Sequence, residues 1–315
     1  MEFFKRKTSI DFLKIRAYTA IFSLLLLVLS VSTLATKGIN WGLDFTGGII
    51  IEMHYKKNAD LSGARDVLKK TGYEDAVVQS FGSAQDMIIR LSPRVNMKEQ
   101  KVANDIFNLL KESEQKVDPE NIIEIRRVDA VGAQVGKEMG EQGGLAILVA
   151  LIAIMLYIAL RFEFRFSVSS AIALAHDPIL ILGIFSWFQI EFDLTALAAI
   201  LAVIGYSLND TIIVFDRVKE NFIKIRKKTP LEIVNLSINE TLSRTIMTSG
   251  LTLLVVIALL VYGGPTLFGF SLALFIGIVI GTYSSIYVAG ALAIAMGLQK
   301  SDLLPTKPKE LDSMP

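Results

Sequence analysis

The stretch Ile204-Gly205-Tyr206-Ser207-Leu208-Asn209-Asp210-Thr211-Ile212-Ile213-Val214-Phe215 sets an asparagine and an aspartate inside a run otherwise built for lipid. Outward from it, the apolar character extends back to Leu194, and about 20 such residues cross a hydrocarbon core. Comparable runs occupy residues 18–35, 143–160, 167–190, 245–263 and 267–296. The chain has 315 residues, 52% of them hydrophobic. The fold class predicted is an α-helical membrane protein with six transmembrane helices. A carboxylate inside such a helix costs free energy and is rare without a task.

Lys and Arg in short loops orient the helices. Lys5, Arg6, Lys7, Lys14 and Arg16 precede the first helix, and Arg161 and Arg165 follow the second. Arg217, Lys219, Lys224, Arg226, Lys227 and Lys228 follow the fourth, and Lys300, Lys307 and Lys309 lie in the tail. The opposite loops, 189–193 and 263–266, contain neither residue type. Both termini, 1–17 and 297–315, are therefore placed in the cytoplasm, together with a loop at 216–243. The first apolar run is long for a signal peptide and no Ala-x-Ala site follows it, so it reads as a retained helix.

Residues 36–142 then lie outside. Their pattern is strand (49–55), helix (61–71), strand (76–81), strand (87–91), helix (97–116), strand (122–128). Ile49, Ile50 and Ile51 are β-branched and follow Gly47-Gly48, whereas Ile106, Leu109 and Leu110 share a helix face. The order βαββαβ is the ferredoxin-like split motif, which predicts one α+β extracytoplasmic domain. That fold hosts many functions and specifies none. In the 216–243 loop, Thr229-Pro230-Leu231-Glu232 opens a helix with a capping box. The expectation is a short amphipathic helix packed on the membrane surface or under the bundle.

The net charge is +1, so composition points to no nucleic-acid partner. With no cysteine, two histidines and no phosphate-cradling loop, neither a metal, a cofactor nor bound ATP is expected.

Asp210 stands six residues before Asp216, which places it about 9 Å inward of that charged boundary. Either it sits in the headgroup zone of a short helix, or it is a titratable group facing the bundle interior. Arg244, at the cytoplasmic start of the fifth helix, is a candidate partner or a membrane anchor. Thr245, Thr248 and Thr252 give that helix a polar stripe. His176-Asp177-Pro178 interrupts the third helix near mid-membrane, as a satisfied polar knot or as an extension of a proton path toward Asp210. Gly277-x-x-x-Gly281-x-x-x-Ser285 is a helix-packing face.

Five motifs carry a resemblance. They are Trp41-Gly42-Leu43-Asp44-Phe45-Thr46-Gly47-Gly48, Val131-Gly132-Ala133-Gln134-Val135-Gly136 and Leu174-Ala175-His176-Asp177. The others are the Ile204–Phe215 stretch with Asp216-Arg217, and Ser243-Arg244-Thr245-Ile246-Met247-Thr248-Ser249. Together they resemble the SecD/SecF protein-export family, related to the resistance-nodulation-division transporters. One small outer domain places the chain on the SecF side of that family.

The resemblance implies a non-enzymatic subunit of the bacterial inner membrane that pairs with SecD and the accessory YajC. It implies association with the SecYEG channel, action after the SecA ATPase, and use of the proton-motive force to help release unfolded secretory polypeptides. It further implies that Asp210 and Arg244, with Asn209 beside them, form a proton relay, and that Gly42, Asp44, Gly47, Gly48 and Gly205 are structural motif positions. A small-solute antiporter of the same superfamily is the alternative, although such porters need two large outer domains. A non-conducting scaffold is another, against which Asp177, Asp210 and Arg244 stand.

Overall fold

The computed structural model describes residues 8–93, 99–225 and 227–299. The basic residues at 5–7, Arg226, those from Lys300 onward, and the expected helix start at Met97 lie outside them.

A short turn, Phe12–Ile15, buries Phe12 and Leu13 and leads into α1 (Arg16–Lys37). Two residues, β1 (Asn40–Trp41), and a single helical turn, α2 (Leu43–Thr46), carry the chain to a compact sheet domain. That domain runs β2 (Gly48–Tyr55), α3 (Leu61–Lys70), β3 (Val77–Phe81), β4 (Ser83–Leu91), α4 (Glu99–Val117) and β5 (Ile123–Val131). Its strands lie in the order β3-β4-β2-β5, every neighbour antiparallel. Alternation sends Ile51 and Met53 of β2, and Met87 and Ile89 of β4, to one face, where Ala103 and Ile106 of α4 cover them. Asp60 caps α3 by accepting from Ser62 N (3.0 Å) and Gly63 N (3.1 Å).

The remainder is helical: α5 (Ala133–Arg161), α6 (Phe164–Phe188), α7 (Leu194–Lys224), α8 (Pro230–Tyr262) and α9 (Gly264–Tyr283). A π-helical segment, Ser284–Ala289, continues α9 into α10 (Gly290–Ala295). Among the described residues six helical spans are long and apolar enough to cross a membrane, counting α9 to α10 as one. A two-residue strand, β6 (Glu191–Phe192), lies between α6 and α7 and pairs in parallel with β1. α6 and α7 form the centre, with Phe166, Phe185, Ile200, Val203 and Phe215 fully buried or nearly so. α5 and α8 bury little of their surface within the chain.

Several expected boundaries move. Most of 216–243 is helix rather than loop, because α7 continues to Lys224 and α8 starts at Pro230. The capping box forms, with Thr229 N donating to Glu232 Oε2 (2.8 Å) and Glu232 N to Thr229 Oγ1 (3.3 Å). The short amphipathic helix is thus the first turns of α8, since no breaker separates Glu232 from Thr245. The polar residues there knit the two helices: Arg217 Nε donates to Glu240 Oε2 (2.6 Å) and Asn221 Nδ2 to Ser237 Oγ (3.0 Å). α7 spans about 46 Å by its rise, more than the roughly 30 Å of hydrocarbon, so its charged end projects beyond it. α5 likewise begins ten residues before its apolar run, in the helix-favouring stretch from Ala133 that the Gln134–Glu138 contact supports.

Candidate functional site

Small residues bring α7 and α9 together. A Cβ on Gly277 would lie 2.3 Å from a Val203 methyl, and one on Gly281 would lie 3.1 Å from Ser207 Cβ. Four residues further, Ser285 Oγ meets Thr211 Oγ1 at 3.0 Å. The Gly277/Gly281/Ser285 stripe therefore packs inside the bundle, on the Val203/Ser207/Thr211 stripe of α7.

Asp177 of α6 reaches this seam and is fully buried. Its Oδ2 accepts from Ser207 Oγ (2.6 Å) and Ser284 Oγ (2.9 Å), and its Oδ1 lies 2.9 Å from His176 Nδ1. The His176 ring is also buried, and its Nε2 has no hydrogen-bond partner. Ser284 and Ser285 open the π-helical segment, whose wider turn displaces the following side chains from α-helical register. Ser285 Oγ donates weakly to Ser207 O (3.4 Å). Polar groups thus run from His176 through Asp177 to Ser207 and Ser284, and the weak contact of Ser285 with the Ser207 backbone carries the line on to Thr211, the residue after Asp210.

Asp210 is 2% exposed, and its Oδ2 has no hydrogen-bond partner. A buried polar atom left unpaired is expensive and marks a place where something else is to be bound or exchanged. Arg244 of α8 is the cation whose field reaches it. Among the described residues the two are not joined as a direct ion pair, and Arg244 is exposed at the bundle surface. It stands fourteen residues into α8, not at that helix's start. Asn209 is exposed as well and is not drawn into the Asp177 network. It shares an open face of α7 with Ala202 and Gly205, and a Cβ on Gly205 would meet nothing within 4 Å. Thr245 is buried, whereas Thr248 and Thr252 return their hydroxyls to Arg244 O and Thr248 O.

At its other end α7 is tied to the sheet domain. Asp193 Oδ1 accepts from Ala196 N (2.7 Å), and Asp44 Oδ2 accepts from Leu194 N (2.9 Å). Gly42 N donates to Phe192 O (2.8 Å), and the rings of Trp41, Phe45 and Phe192 pack together. Arg90 of β4 pairs with Glu191. Gly47 and Gly48 are required where they stand: both have positive φ, and a Cβ on Gly48 would fall 2.2 Å from Leu91 O. Gly42 is extended and abuts Phe192 and Asp193.

The hydroxyls of Ser207, Thr211, Ser284 and Ser285 were not singled out as site residues by sequence reasoning. Neither was the chain Tyr206–Ser249–Thr282, which joins α7, α8 and α9 at 3.2 and 2.8 Å. Their signal is four-residue spacing inside apolar helices, weak because a membrane hydroxyl usually bonds its own backbone.

Residues 110–299 match the model of the protein export membrane protein SecD/SecF C-terminal region. The chain belongs to the SecD/SecF family. Residues 33–59, which hold the Asp44–Gly48 junction, match the SecD/SecF GG motif. The chain is 48% identical to the protein translocase subunit SecF of Vibrio alginolyticus, over 99% of this chain and 98% of that one. It is 47% identical to the SecF of Pseudomonas aeruginosa, over 96% of each. Like these SecF relatives it is a multi-pass membrane subunit of protein transport and not an enzyme. The crystal structure of SecDF from Thermus thermophilus, a translocon-associated membrane protein, superposes with a TM-score of 0.80 at 35% identity over 92% of this chain. A SecDF structure in a super-membrane-facing form gives 0.66 at 34% over 93%. The chain spans 39% of the length of each of those two solved chains.

Proposed function

We propose that this SecD/SecF-family subunit couples the proton-motive force to the export of unfolded polypeptides, with Asp210 as the group that gains and loses the proton. The observation that carries this is a buried carboxylate oxygen without a partner, on a membrane helix whose far end is capped by Asp44 of the junction that leads into the sheet domain. An ionisable residue so placed marks a proton or ion path. Arg244 is the cation that responds to its charge, and Asn209 lies beside it on the open face of α7. His176 and Asp177 extend the path along the hydroxyl line to Thr211.

In this reading the sheet domain is ferredoxin-like and extracytoplasmic, both termini are cytoplasmic, and the membrane is the bacterial inner membrane. The basic residues of the α5–α6 and α7–α8 connections support that orientation. The partner in the membrane is SecD. The solved homologues bear the name SecDF and are more than twice this chain's length, and the faces of α5, α7 and α8 are left uncovered by this chain. SecYEG, YajC and SecA follow as the assembly around it, with the chain acting after the SecA step.

The test is co-reconstitution with a SecD-type subunit in vesicles loaded with a pH-sensitive dye. An imposed gradient should produce proton flux that disappears with Asp210→Asn. Flux unchanged by that substitution removes the assignment. Absence of flux in every preparation favours the scaffold reading.

A further inference from the structure

Along its outer half α1 is pinned to α6: Thr33 Oγ1 donates to Gly183 O (3.3 Å), and a Cβ on Gly183 would overlap Ser30. Along its inner half α1 leans on Tyr283 of α9, whose hydroxyl donates to Thr19 O (2.9 Å) and meets Ser23 Oγ (3.1 Å), and leaves a gap toward α6. Between it, α6 and the π-helical segment with α10 lies a cleft of about 740 Å³. Its walls are almost wholly apolar, among them Ala20, Leu24, Ile172 and Tyr287. His176 also lines it. At its mouth stands Arg16, whose Nη1 donates to Leu13 O (3.3 Å) and is held there. Lys14 is exposed next to it.

We propose that this cleft holds one anionic phospholipid of the cytoplasmic leaflet, its phosphate on Arg16 and one acyl chain along the inner half of α1. Two observations choose this occupant. From Arg16 to Leu27, both lining residues, the helix rises about 16 Å, close to half of the roughly 30 Å core and thus to one leaflet. The sole charged lining residue is a cation at the headgroup end, and basic pockets between transmembrane helices on the cytoplasmic side take anionic headgroups. The acyl chain also covers His176, so that the Asp177 network is closed to lipid-side water at this wall. The leaflet assigned rests on the orientation proposed above.

The test uses the full chain in nanodiscs of equal phosphatidylglycerol and phosphatidylethanolamine, with the lipids retained on the released protein read by native mass spectrometry. The wild type should retain phosphatidylglycerol in preference. Arg16→Gln should reduce that preference about five-fold, the factor one basic contact supplies at a membrane surface. Ala20→Trp, which fills the cleft, should remove the retained lipid of both kinds, and Lys227→Gln, in the exposed loop, should change nothing. Equal retention of the two lipids by the wild type, or retention unaffected by both cleft variants, overturns the proposal. So does loss with Lys227→Gln equal to that with Arg16→Gln, or a polypeptide helix crosslinked through Ala20→Cys in place of lipid. The native chain has no cysteine, so labelling of Ser9→Cys from either side reports orientation separately. If Ser9→Cys is labelled from outside while the cleft variants behave as stated, the orientation fails and the lipid site stands.

Discussion

Asp44, in the junction between α1 and the sheet domain, caps the backbone N–H of Leu194 at the head of α7, 150 residues later in the chain. The helix that carries Asp210 is therefore held at one end by the junction that leads into the sheet domain. Asp44→Ala removes an acceptor from a helix N-terminus, which costs about 0.5–2 kcal/mol. A lowered melting temperature in detergent is expected, with Asp44→Asn close to the wild type because its amide oxygen still accepts. Equal melting of Asp44→Ala and wild type would show that the cap contributes nothing.

The α7–α9 seam depends on a missing side chain. Gly277→Ala sets a methyl 2.3 Å from a Val203 methyl, an overpacking that costs about 1–3 kcal/mol. Val203→Ala in the same chain should recover much of it. A double-mutant cycle on thermal unfolding reads the coupling, and simple additivity of the two changes would contradict the packing described.

What was legible in the sequence, and what was not, follows from the range of each interaction. The six apolar runs and the alternating segments from Gly48 to Val131 are local patterns, and their elements could be read directly. The junction could not. β1 and β6 are two residues each and pair Asn40 with Glu191 and Trp41 with Phe192, far apart in the chain, so no periodicity announces them. The helix start at Pro230 was legible from its capping box, but the end of α7 at Lys224 and the continuity of α8 into the fifth span were missed because charge was read as loop, whereas Arg217, Asn221 and Glu240 are a helix–helix contact. At the site, Asp177 and Asp210 were conspicuous as carboxylates in apolar helices. Their surroundings were not, because Ser207 and Ser284 become partners of Asp177 only when three helices converge.

In the sheet domain Asp86 is a pH-sensitive tie. Burial pushes its carboxyl up, but hydrogen bonds from Ser83 and His54 and the charge of Arg126 outweigh this and hold it below the ordinary carboxylate range. A depressed folded value means the contribution is present above the unfolded value of about 3.9 and is lost as pH falls through the folded one. Hydrogen exchange in the intact protein should show β2, β4 and β5 better protected in wild type than in Asp86→Ala at pH 6. That difference should shrink below about pH 4. A difference that persists undiminished at the lower pH contradicts the assignment.

The face of α7 formed by Ala202, Gly205 and Asn209 is small, partly polar and uncovered by this chain. If SecD covers it, Gly205→Phe should reduce co-purification of the two subunits, while Val31→Phe, an apolar replacement on the exposed face of α1, should be tolerated. Undiminished co-purification of Gly205→Phe places the partner elsewhere.

The central claim is that Asp210 titrates in the working cycle. A proton crossing the membrane supplies roughly 2.3 kcal/mol per 100 mV, and only a group whose charge changes can draw on it. Asparagine keeps the shape of Asp210 and removes the titration. The measurement is export of a secretory protein into inverted membrane vesicles, with and without a proton gradient, in the presence of SecD and the channel with its ATPase. Asp210→Asn should assemble normally and retain ATP-driven export while losing the gradient-dependent increment; Arg244→Ala should lose it too, and Lys227→Ala should keep it. Full gradient-dependent stimulation by Asp210→Asn would contradict the account and turn attention to Asp177.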